Sequence, residues 1–528
     1  MTYTVCILTS GIGRRMHEYT NVINKALLPV NKKAIISRII ENFPKKTQFV
    51  ISLGYKGAQV KDYLELAHKD RRFQFVKIKN YNGKNSGPGS SLYQCKKYLQ
   101  KPFFFVACDT LWTKKIYNIK NYNWMGTPVV KQKTHLKDYC NLRIETNRIK
   151  EIRDKSIFSL ENSKVFTGLA FIKSYKVFWE HLKNKTKVDA EVQVSNGFKG
   201  LIQVENVKSV GVDWVDVGTS KKYENVISQF SKFNFSKSDQ HIYIGNSAVI
   251  KFFSDKKIIH NLVKKAKSNK TIYPNIIDKK DNFIKYKYIK GRTLYNYYNE
   301  NYFNKLIYFL EKKFWKKKNK KNFDLLCRKF YQKKTINRLK LLKKIYKNKF
   351  DKIDKVNSIN NQPVKKINEL MSRMPWNFIA KGMPSEIHGD LQFDNIVFNK
   401  NVFYLIDWRP DFEGQVLIGD FCYDLAKLLG GLEINYDMIK KNFFSFRKLN
   451  NKVTIKIRKR KNSEKLKNIL INYIERKKIS EIKIRLITGL IFINMSPLHK
   501  YPFNDFLFYY GKMYLNKYLK IYEKKNRI

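Results

Sequence analysis

A short polar segment in the second half of the chain has the residue types of a phosphoryl-transfer site. Residues 388–395 read HGDLQFDN, and Asp407 follows after two apolar runs. These runs, 395–398 and 402–406, predict the two strands of a hairpin with a turn between them. We therefore expect a loop that carries His, Asp and Asn, and a hairpin that places a second Asp at its end.

Phosphoryl transfer from ATP requires a carboxylate that orients the attacking hydroxyl and accepts its proton. It also requires oxygen ligands that hold Mg²⁺ on the phosphates. Asp390 fits the first role, and Asn395 and Asp407 fit the second. A polar hairpin with an Asx turn is the alternative without chemistry, but the combined spacing favours the catalytic interpretation.

This segment resembles the catalytic loop of the aminoglycoside phosphotransferase and choline kinase family of small-molecule kinases. The resemblance extends to residues 419–427, which read GDFCYDLAK and are similar to the family's GDxxYDLA segment. It implies a bilobal protein-kinase-like domain over residues 241–528 that uses ATP. It also implies that Asp420 and Asp424 pack beneath the catalytic loop and take no part in the chemistry.

Lys251 is the candidate for binding the phosphates of ATP. It lies in a predicted hairpin with a Gly-Asn turn, in a VIKFF strand like that of the kinase VAIK lysine. The predicted helix 256–267 has no Glu to pair with Lys251, and residues 236–240 read SKSDQ where a Gly-rich loop is expected. Two interpretations remain. The domain is an active kinase that binds its nucleotide in an unusual way, or it is an inactive kinase-like domain that binds nucleotide or acts as a scaffold.

The first half of the chain opens with an apolar run of the buried-strand kind, followed directly by TSGIGRRM. Gly11 and Gly13 allow backbone N–H groups to approach phosphates closely, and Arg15 adds positive charge. Lys25 follows in the segment NKALLPV and can reach the same phosphates. If the glycines are considered without the Lys25 segment, a plain strand-to-helix turn is the alternative to phosphate binding.

Together these segments resemble the signature of the sugar-nucleotidyltransferase (MobA-like NTP transferase) family, a Gly-rich turn with Arg followed by PKxLLPV. The sequence has Arg14 where Ser or Thr is usual, and Asn24 in place of the Pro. The resemblance implies a nucleotidyltransferase domain over residues 1–230. Such a domain transfers a nucleotidyl group from an NTP to a phosphorylated small-molecule acceptor and releases pyrophosphate. Here we expect the NTP to be CTP or UTP.

Two carboxylates of this half are candidate Mg²⁺ ligands. Asp109 ends the apolar run 103–108, which predicts a strand, and Asp216 lies in VDWVDVGT, which resembles the family's WxDVGT. Two hard oxygen ligands that bridge to nucleotide phosphates suit Mg²⁺. Asp213 is an alternative to Asp216.

The segment GPGSSL occupies the place of the family's base-recognition loop. The resemblance therefore implies that Gly87, Gly89 and Ser90 bind nucleotide. A simple N-cap of the following helix by Ser90 is a compatible alternative. The segments 166–173 and 189–191 resemble the family's acceptor side, with solvated surface as the alternative.

Strand and helix patterns alternate over residues 3–108, which predicts a mostly parallel, Rossmann-like sheet with ligands beyond the strand ends. For the whole chain we expect an α/β nucleotidyltransferase domain followed by an α+β, bilobal protein-kinase-like domain. The junction is expected over residues 230–240, because no clean periodicity occurs there.

The composition is strongly basic, with 106 Lys and Arg against 43 Asp and Glu and a net charge of +63. Lysine is spread along the whole chain, so we expect attraction of anionic nucleotides but no specific nucleic-acid binding. The nucleic-acid alternative predicts tight, steeply salt-dependent binding to any duplex. The six cysteines occur singly, without zinc spacing, and neither a signal peptide nor a membrane span is apparent. We therefore expect a cytoplasmic protein.

These features predict a bifunctional enzyme. The kinase would phosphorylate an alcohol, and the transferase would join a nucleotide to the new phosphate. The NDP-activated product would be a precursor of surface polysaccharide or lipid head groups. A choline-like amino alcohol and a sugar remain alternative acceptors, and an active transferase with an inactive kinase-like domain remains the alternative function.

Overall fold

A computed structural model describes residues 3–130, 136–159, 161, 163–183, 187–188, 191–230 and 239–526. The contacts within the chain divide it into two compact units. Unit 1 comprises the described residues up to 230 together with 239–255 and 278–285, and unit 2 comprises 256–277 and 286–526. Part of the predicted junction, 231–238, lies outside the described residues. The predicted domain boundaries, 1–230 and 241–528, stay a prediction. They would place residues 241–255 and 278–285 in the second domain, whereas the contacts within the chain place these segments in unit 1.

The centre of unit 1 is a ten-stranded sheet among the described residues. Its strands, in spatial order, are Lys164–Val165, Cys140–Glu145, Arg148–Asp154, Val207–Val212, Asn123–Pro128, Leu169–Ile172, Phe103–Ala107, Thr4–Leu8, Gln48–Leu53 and Arg72–Lys77. The last four are mutually parallel, as predicted. The sheet as a whole is mixed, because Leu169–Ile172 runs antiparallel to both of its neighbours. The prediction of a mostly parallel sheet is therefore wrong beyond residue 108.

The first strand shows why the parallel part is buried on both faces. Val5 and Ile7 belong to one apolar core, and Cys6 and Leu8 belong to the core on the opposite face. Successive side chains of a strand point to opposite faces, so a continuous apolar run requires cover on both sides. The α-helices of unit 1 are Ile35–Glu41, Gly57–Ala67, Pro88–Gln94, Tyr175–Leu182, Ser195–Val204 and Ser220–Ser228.

Short strand pairs complete unit 1 at the edges of this sheet. They are Pro29–Val30 with Lys33–Ala34, Thr110–Leu111 with Val215–Asp216, and Lys187–Val188 with Glu191–Val192. The pairing of Asp216 with Thr110 is antiparallel and brings two distant segments together.

The predicted hairpin with a Gly-Asn turn is confirmed, with strands Gln240–Ile244 and Ala248–Phe253. It continues into a four-stranded sheet with Phe283–Lys287 and Ile276–Lys280. Tyr243, in the first strand of the hairpin, donates its hydroxyl to the carbonyl of Leu27 at 2.7 Å. The hairpin therefore shares the apolar core of unit 1, which explains its grouping there.

Unit 2 is mainly helical. Its α-helices are Lys256–Ser268, Glu300–Phe309, Phe323–Arg328, Lys334–Tyr346, Phe350–Asp354, Ile367–Ser372, Trp376–Ala380, Phe421–Glu433, Tyr436–Lys440, Ser463–Arg476, Glu481–Met495 and Phe503–Lys525. Residues 421–432 are buried without interruption. Phe421–Glu433 therefore forms part of the core of this unit, although it carries two buried charged residues, Asp424 and Lys427.

The other strands among the described residues of unit 2 form small sheets. One sheet has the strand order Arg292–Thr293, Ile396–Asn399 and Val402–Leu405. A second pairs Pro384–Ser385 with Gly419–Asp420. A further sheet has the order Gln362–Pro363, Ser358–Ile359, Lys452–Ile457 and Phe444–Leu449. The predicted hairpin after the catalytic-loop segment is confirmed. Between the helices that follow residue 432, Phe444–Leu449 and Lys452–Ile457 pair as a second hairpin.

None of the helices in the described part of the chain is long and apolar enough to cross a membrane.

Candidate functional site

The glycine-rich turn of unit 1 lies at the end of its central strand and is held by Asn24. The amide nitrogen of Asn24 donates to the carbonyls of Thr9 at 2.9 Å and Tyr55 at 2.6 Å. Its amide oxygen accepts from the backbone of Ala26 at 2.9 Å. Asn24 is itself fully buried. The residue that replaces the expected Pro therefore ties the glycine turn to the lysine segment by hydrogen bonds.

Lys25 projects from this segment to the end of a neighbouring strand. Its ammonium lies 2.7 Å from a carboxylate oxygen of Asp109 and 3.1 Å from the carbonyl of Gly218. Only 9% of the Lys25 side chain and 24% of the Asp109 side chain are exposed. The structure thus joins two sequence-predicted residues from segments 84 residues apart.

Asp216 lies beside this pair. One of its oxygens accepts from the backbone of Gly218 at 2.6 Å, and the other accepts from the hydroxyl of Tyr139 at 2.6 Å and from Lys222 at 2.8 Å. A methyl group at Gly218 would lie 2.8 Å from Asp216 Oδ1 and 3.2 Å from Asp109 Oδ2. The two carboxylates therefore face the same small space, which a larger residue at 218 would fill.

The two carboxylates differ in their electrostatic environment. Burial alone would raise the pKa of Asp109, but the charge of Lys25 holds it below the ordinary value. Burial, and then the charge of Asp109, raise the pKa of Asp216 to about 6. Neighbouring carboxylates repel each other, so a cation between them would be stabilised by both.

Two other predicted phosphate-binding residues, Gly13 and Arg15, act on the Lys25–Asp109 pair. Gly13 has a φ of 72°, in the left-handed region that favours glycine, and a methyl group there would lie 3.2 Å from Thr20 and 3.4 Å from Lys25. Gly11 and Arg15 are exposed. The charge of Arg15 also contributes to the low pKa of Asp109, so its guanidinium acts on the same site.

Gly87 and Gly89 are required by close packing of the backbone. Side chains at these positions would approach the carbonyls of Val192 and Gln193 to 2.7 and 2.5 Å. The predicted N-cap by Ser90 is wrong, because the helix begins at Pro88 and Gly87 is its N-cap. Ser90 lies inside the first turn, and the assignment of these three residues to the nucleotide stays a prediction.

Asp213, the alternative metal ligand, is engaged elsewhere. Its carboxylate accepts from the backbone N–H groups of Thr113 at 3.0 Å and Lys114 at 3.2 Å. These bonds favour Asp216 as the second carboxylate. Of the predicted acceptor segment, Asp189 and Ala190 lie outside the described residues.

The catalytic-loop segment of unit 2 rests on Asp424. This buried carboxylate accepts from the backbone N–H groups of His388 and Gly389, each at 2.8 Å, and from the indole of Trp315 at 3.1 Å. Asp420 caps the helix Phe421–Glu433 and is also buried. Asp424 thus lies beneath the loop, as the resemblance implied, whereas Asp420 accepts hydrogen bonds from Tyr331, Met383 and Cys422. Burial raises the pKa of Asp424 to about 6.

His388 and Asn395 position the loop around Asp390. The His388 ring contacts the carbonyl of Ile406 at 2.9 Å through Nε2 and accepts from the backbone of Asp390 at 3.2 Å through Nδ1. Asn395 donates to the carbonyl of Asp390 at 2.9 Å and lies 3.4 Å from its carboxylate. The N–H of Ile406 donates to the carbonyl of Asn395 at 2.9 Å, and Asp407 is the next residue. Asp390, Asn395 and Asp407 therefore lie at the same end of the hairpin.

Asp390 also forms an ion pair with Lys427, at 2.7 Å, and 38% of its side chain is exposed. Lys251 lies half-buried in the strand Ala248–Phe253, within unit 1. Its predicted role in binding ATP stays a prediction.

Several residues that the sequence reasoning missed contribute to these sites. They are Asn24, Tyr139 and Lys222 in unit 1 and Lys427 in unit 2. Lys222 had a detectable signal, since it lies in the first turn of a helix that Thr219 caps directly after the Asp216 segment. Tyr139 had none, because its contact with Asp216 spans 77 residues.

Comparison with known proteins agrees with the geometry of unit 1. The model of the MobA-like NTP transferase domain matches residues 5–118. The bifunctional protein GlmU of Methanocaldococcus jannaschii is 24% identical over 220 residues, which is 40% of this chain and 50% of that protein. The chain thus spans about half the length of the curated relatives it matches.

Two solved structures are also similar. A UDP-glucose pyrophosphorylase complexed with UDP-glucose aligns with a TM-score of 0.38 and 17% identity, over 44% of this chain and 98% of that chain. The inositol-1-phosphate CTP transferase from T. maritima aligns with a TM-score of 0.36 and 16% identity, over 43% and 96%. Residues 5–118 are thus similar to a MobA-like NTP transferase domain, and this segment contains the glycine turn, Lys25 and Asp109.

Proposed function

We propose that unit 1 is a nucleotidyltransferase that acts on an NTP and a sugar-phosphate-like acceptor. The proposed NTP is CTP or UTP. The contact of Lys25 with Asp109, beside Asp216 and below the glycine turn, carries this proposal. It combines cations for the phosphates with carboxylates for a metal ion at the ends of parallel strands, where ligands of such sheets bind.

In the proposed reaction a phosphate oxygen of the acceptor attacks the α-phosphorus of the NTP. The bond from the α-phosphorus to the bridging oxygen breaks, and pyrophosphate leaves with the electron pair. Lys25 and Arg15 neutralise the charge that develops on the phosphates. Lys25 therefore exchanges part of its contact with Asp109 for the nucleotide.

The donor set at this site suits Mg²⁺. Asp109 and Asp216 offer hard carboxylate oxygens on one space, and no group of three or more His, Cys, Asp or Glu side chains that could hold a metal occurs among the described residues. A bound Mg²⁺ would therefore take its remaining ligands from phosphate and water, as this ion commonly does. Its chemistry would be to align the phosphates and offset their charge.

The test is pyrophosphate release by the full chain with each of the four NTPs and a panel of acceptors. The panel contains sugar 1-phosphates, phosphocholine and phosphoethanolamine. We expect release with one nucleotide and one class of acceptor, and loss of release in a Lys25→Met variant. Release that is unchanged in this variant would contradict the proposed role of the lysine.

The second candidate function is an ATP-dependent kinase of a small alcohol in unit 2. The convergence of Asp390, Asn395 and Asp407 above the buried Asp424 favours it. The acceptor oxygen would attack the γ-phosphorus, the bond to the β–γ bridging oxygen would break, and ADP would leave. Asp390 would accept the proton of the hydroxyl. Asn395 and Asp407 would supply oxygen ligands for Mg²⁺.

If both units are active, the phosphate made by unit 2 is the acceptor of unit 1, and the product is an NDP-activated precursor for surface polysaccharide or lipid head groups. The ordering follows from chemistry, because the transferase requires an acceptor that already carries a phosphate. The alternative is an active transferase with an inactive kinase-like unit that binds nucleotide or acts as a scaffold. ADP release with an alcohol, lost in Asp390→Ala, would exclude that alternative.

A further inference from the structure

Several positively charged side chains of unit 2 lie near Asp390. Lys427 lies on the buried helix Phe421–Glu433, and Lys334 begins the helix Lys334–Tyr346. Arg409 follows the predicted metal ligand Asp407 by two residues and donates its backbone N–H to the carbonyl of His388 at 2.9 Å. Three separate segments thus bring cations to the same end of the catalytic loop.

Two aromatic rings hold these cations in place. The Lys334 ammonium lies 4.3 Å from the ring centroid of Phe330, and the Arg409 guanidinium lies 4.9 Å from the same ring. The Lys334 ammonium also lies 3.4 Å from the hydroxyl of Tyr423, whose ring is 6.0 Å from the Lys427 ammonium. Lys334 and Arg409 thus share the ring of Phe330, and Lys334 and Lys427 share the ring of Tyr423.

This concentration of charge is unfavourable without a compensating anion. Burial, and then the charges of Arg409 and Lys427, lower the pKa of Lys334 well below its ordinary value. Asp390 offsets the charge of Lys427, with which it pairs at 2.7 Å. Lys334 and Arg409 remain close together on Phe330, and like charges at such distances repel. An oxyanion between them would offset this repulsion.

A cationic acceptor is disfavoured by the same arrangement. Recognition of a quaternary ammonium uses aromatic faces that the ligand cation can occupy. Here the Phe330 ring already carries two protein cations. A choline-like molecule close enough for its hydroxyl to reach Asp390 would meet like charge, which acts against binding.

We propose that the acceptor of unit 2 is an alcohol that carries an oxyanion group, a carboxylate or a phosphate, which Lys334 and Arg409 bind while its hydroxyl faces Asp390. This inference rests on the proposed kinase function and names its substrate class. It assigns a positively charged acceptor subsite to Lys334, Arg409 and their neighbour Lys427.

The experiment measures binding and turnover separately in the full chain. Calorimetric titration in the presence of a non-hydrolysable ATP analogue compares glycerate, glycerol 3-phosphate, glycerol and choline. ADP release is measured with the same four compounds and ATP. We expect binding of glycerate or glycerol 3-phosphate only, and the better of the two tells which oxyanion fits.

Lys334→Met keeps the length of the side chain and removes its charge. Loss of one charge-assisted contact should weaken binding of the anionic alcohol about tenfold or more, with the KM for ATP unchanged. Lys334→Arg should restore most of the affinity. The matched control is Lys340→Met, an exposed position on the same helix.

The outcomes separate this inference from the kinase proposal. Anion binding without ADP release would support the subsite and contradict kinase activity. Binding of choline, no binding of either anionic alcohol, or equal weakening by Lys340→Met would overturn the subsite. A Lys334→Met variant that instead raises the KM for ATP would assign the cations to the transferred phosphate and would also overturn it. Circular dichroism and thermal melting that match the parent protein show that each variant is folded, because pyrophosphate release would report on unit 1 only.

Discussion

The two candidate sites share one feature and differ in what surrounds it. In each unit a mostly buried lysine lies 2.7 Å from an aspartate, Lys25 from Asp109 and Lys427 from Asp390. In unit 1 a second carboxylate, Asp216, faces the same space. In unit 2 the neighbours of the pair are further cations. The same ion pair thus belongs to a site suited to a metal ion with polyphosphate in one unit, and to a site suited to an anionic acceptor in the other.

The largest effect is expected from Asp109→Asn. The change removes a proposed metal ligand and leaves Lys25 without its carboxylate, so pyrophosphate release should fall about a thousandfold. Asp213→Asn, which affects only the bonds to residues 113–114, should change the rate by less than about twofold. Similar losses in both variants would contradict the assignment of the metal site to Asp109 and Asp216.

Asp390→Asn tests the candidate site of unit 2. It retains the shape of the side chain but removes the proton acceptor, so ADP release should fall roughly a hundredfold or more. Pyrophosphate release from a supplied phosphorylated acceptor should stay unchanged, because that chemistry belongs to unit 1. Parallel loss of both activities in folded protein would mean that the two sites do not work separately.

Acid should weaken unit 1 through His68, which is buried against Ser37 at 2.8 Å. Burial lowers the pKa of His68 to about 4 from the ordinary 6.5. The folded form therefore stays neutral while the unfolded chain takes up a proton, and stability is lost as the pH falls from 6.5 to about 4. The full loss is about 3 kcal/mol.

Hydrogen exchange of the strand Gln48–Leu53 as a function of pH measures this loss in unit 1 alone. A His68→Gln variant has no such titration, so its exchange should depend less on pH in this range. An identical pH dependence in the two proteins would show that other groups control the acid response.

The smallest effect is expected from Tyr243→Phe. The change leaves the carbonyl of Leu27 without its 2.7 Å hydrogen bond and should reduce the stability of unit 1 by about 1 kcal/mol. Hydrogen exchange of the central strand Thr4–Leu8 measures it. Tyr308→Phe, at a side chain that is 64% exposed, is the control and should have no effect. Unchanged exchange in Tyr243→Phe would mean that the hairpin adds nothing to this unit.

The parts of the fold predicted correctly are those with local signals. The strands Thr4–Leu8 and Phe103–Ala107 are continuous apolar runs, and the hairpin after Asn395 has two apolar runs with a polar turn. The second half of the large sheet was not predictable in this way. Whether Leu169–Ile172 runs parallel or antiparallel depends on the path of the connecting chain, and its residues are apolar in either case.

By itself the sequence determined the residues whose chemistry depends on short-range spacing. The glycine turn, Lys25, the strand-end Asp109 and the segment 388–395 each carry their signal within a few positions, because a turn and its flanking strand are specified locally. The tertiary structure alone decided which distant side chains join them. Tyr139 reaches the site of unit 1, and Lys334 and Lys427 reach the surroundings of Asp390, through packing of segments far apart in the chain. Such convergence depends on the whole core, and no local pattern records it.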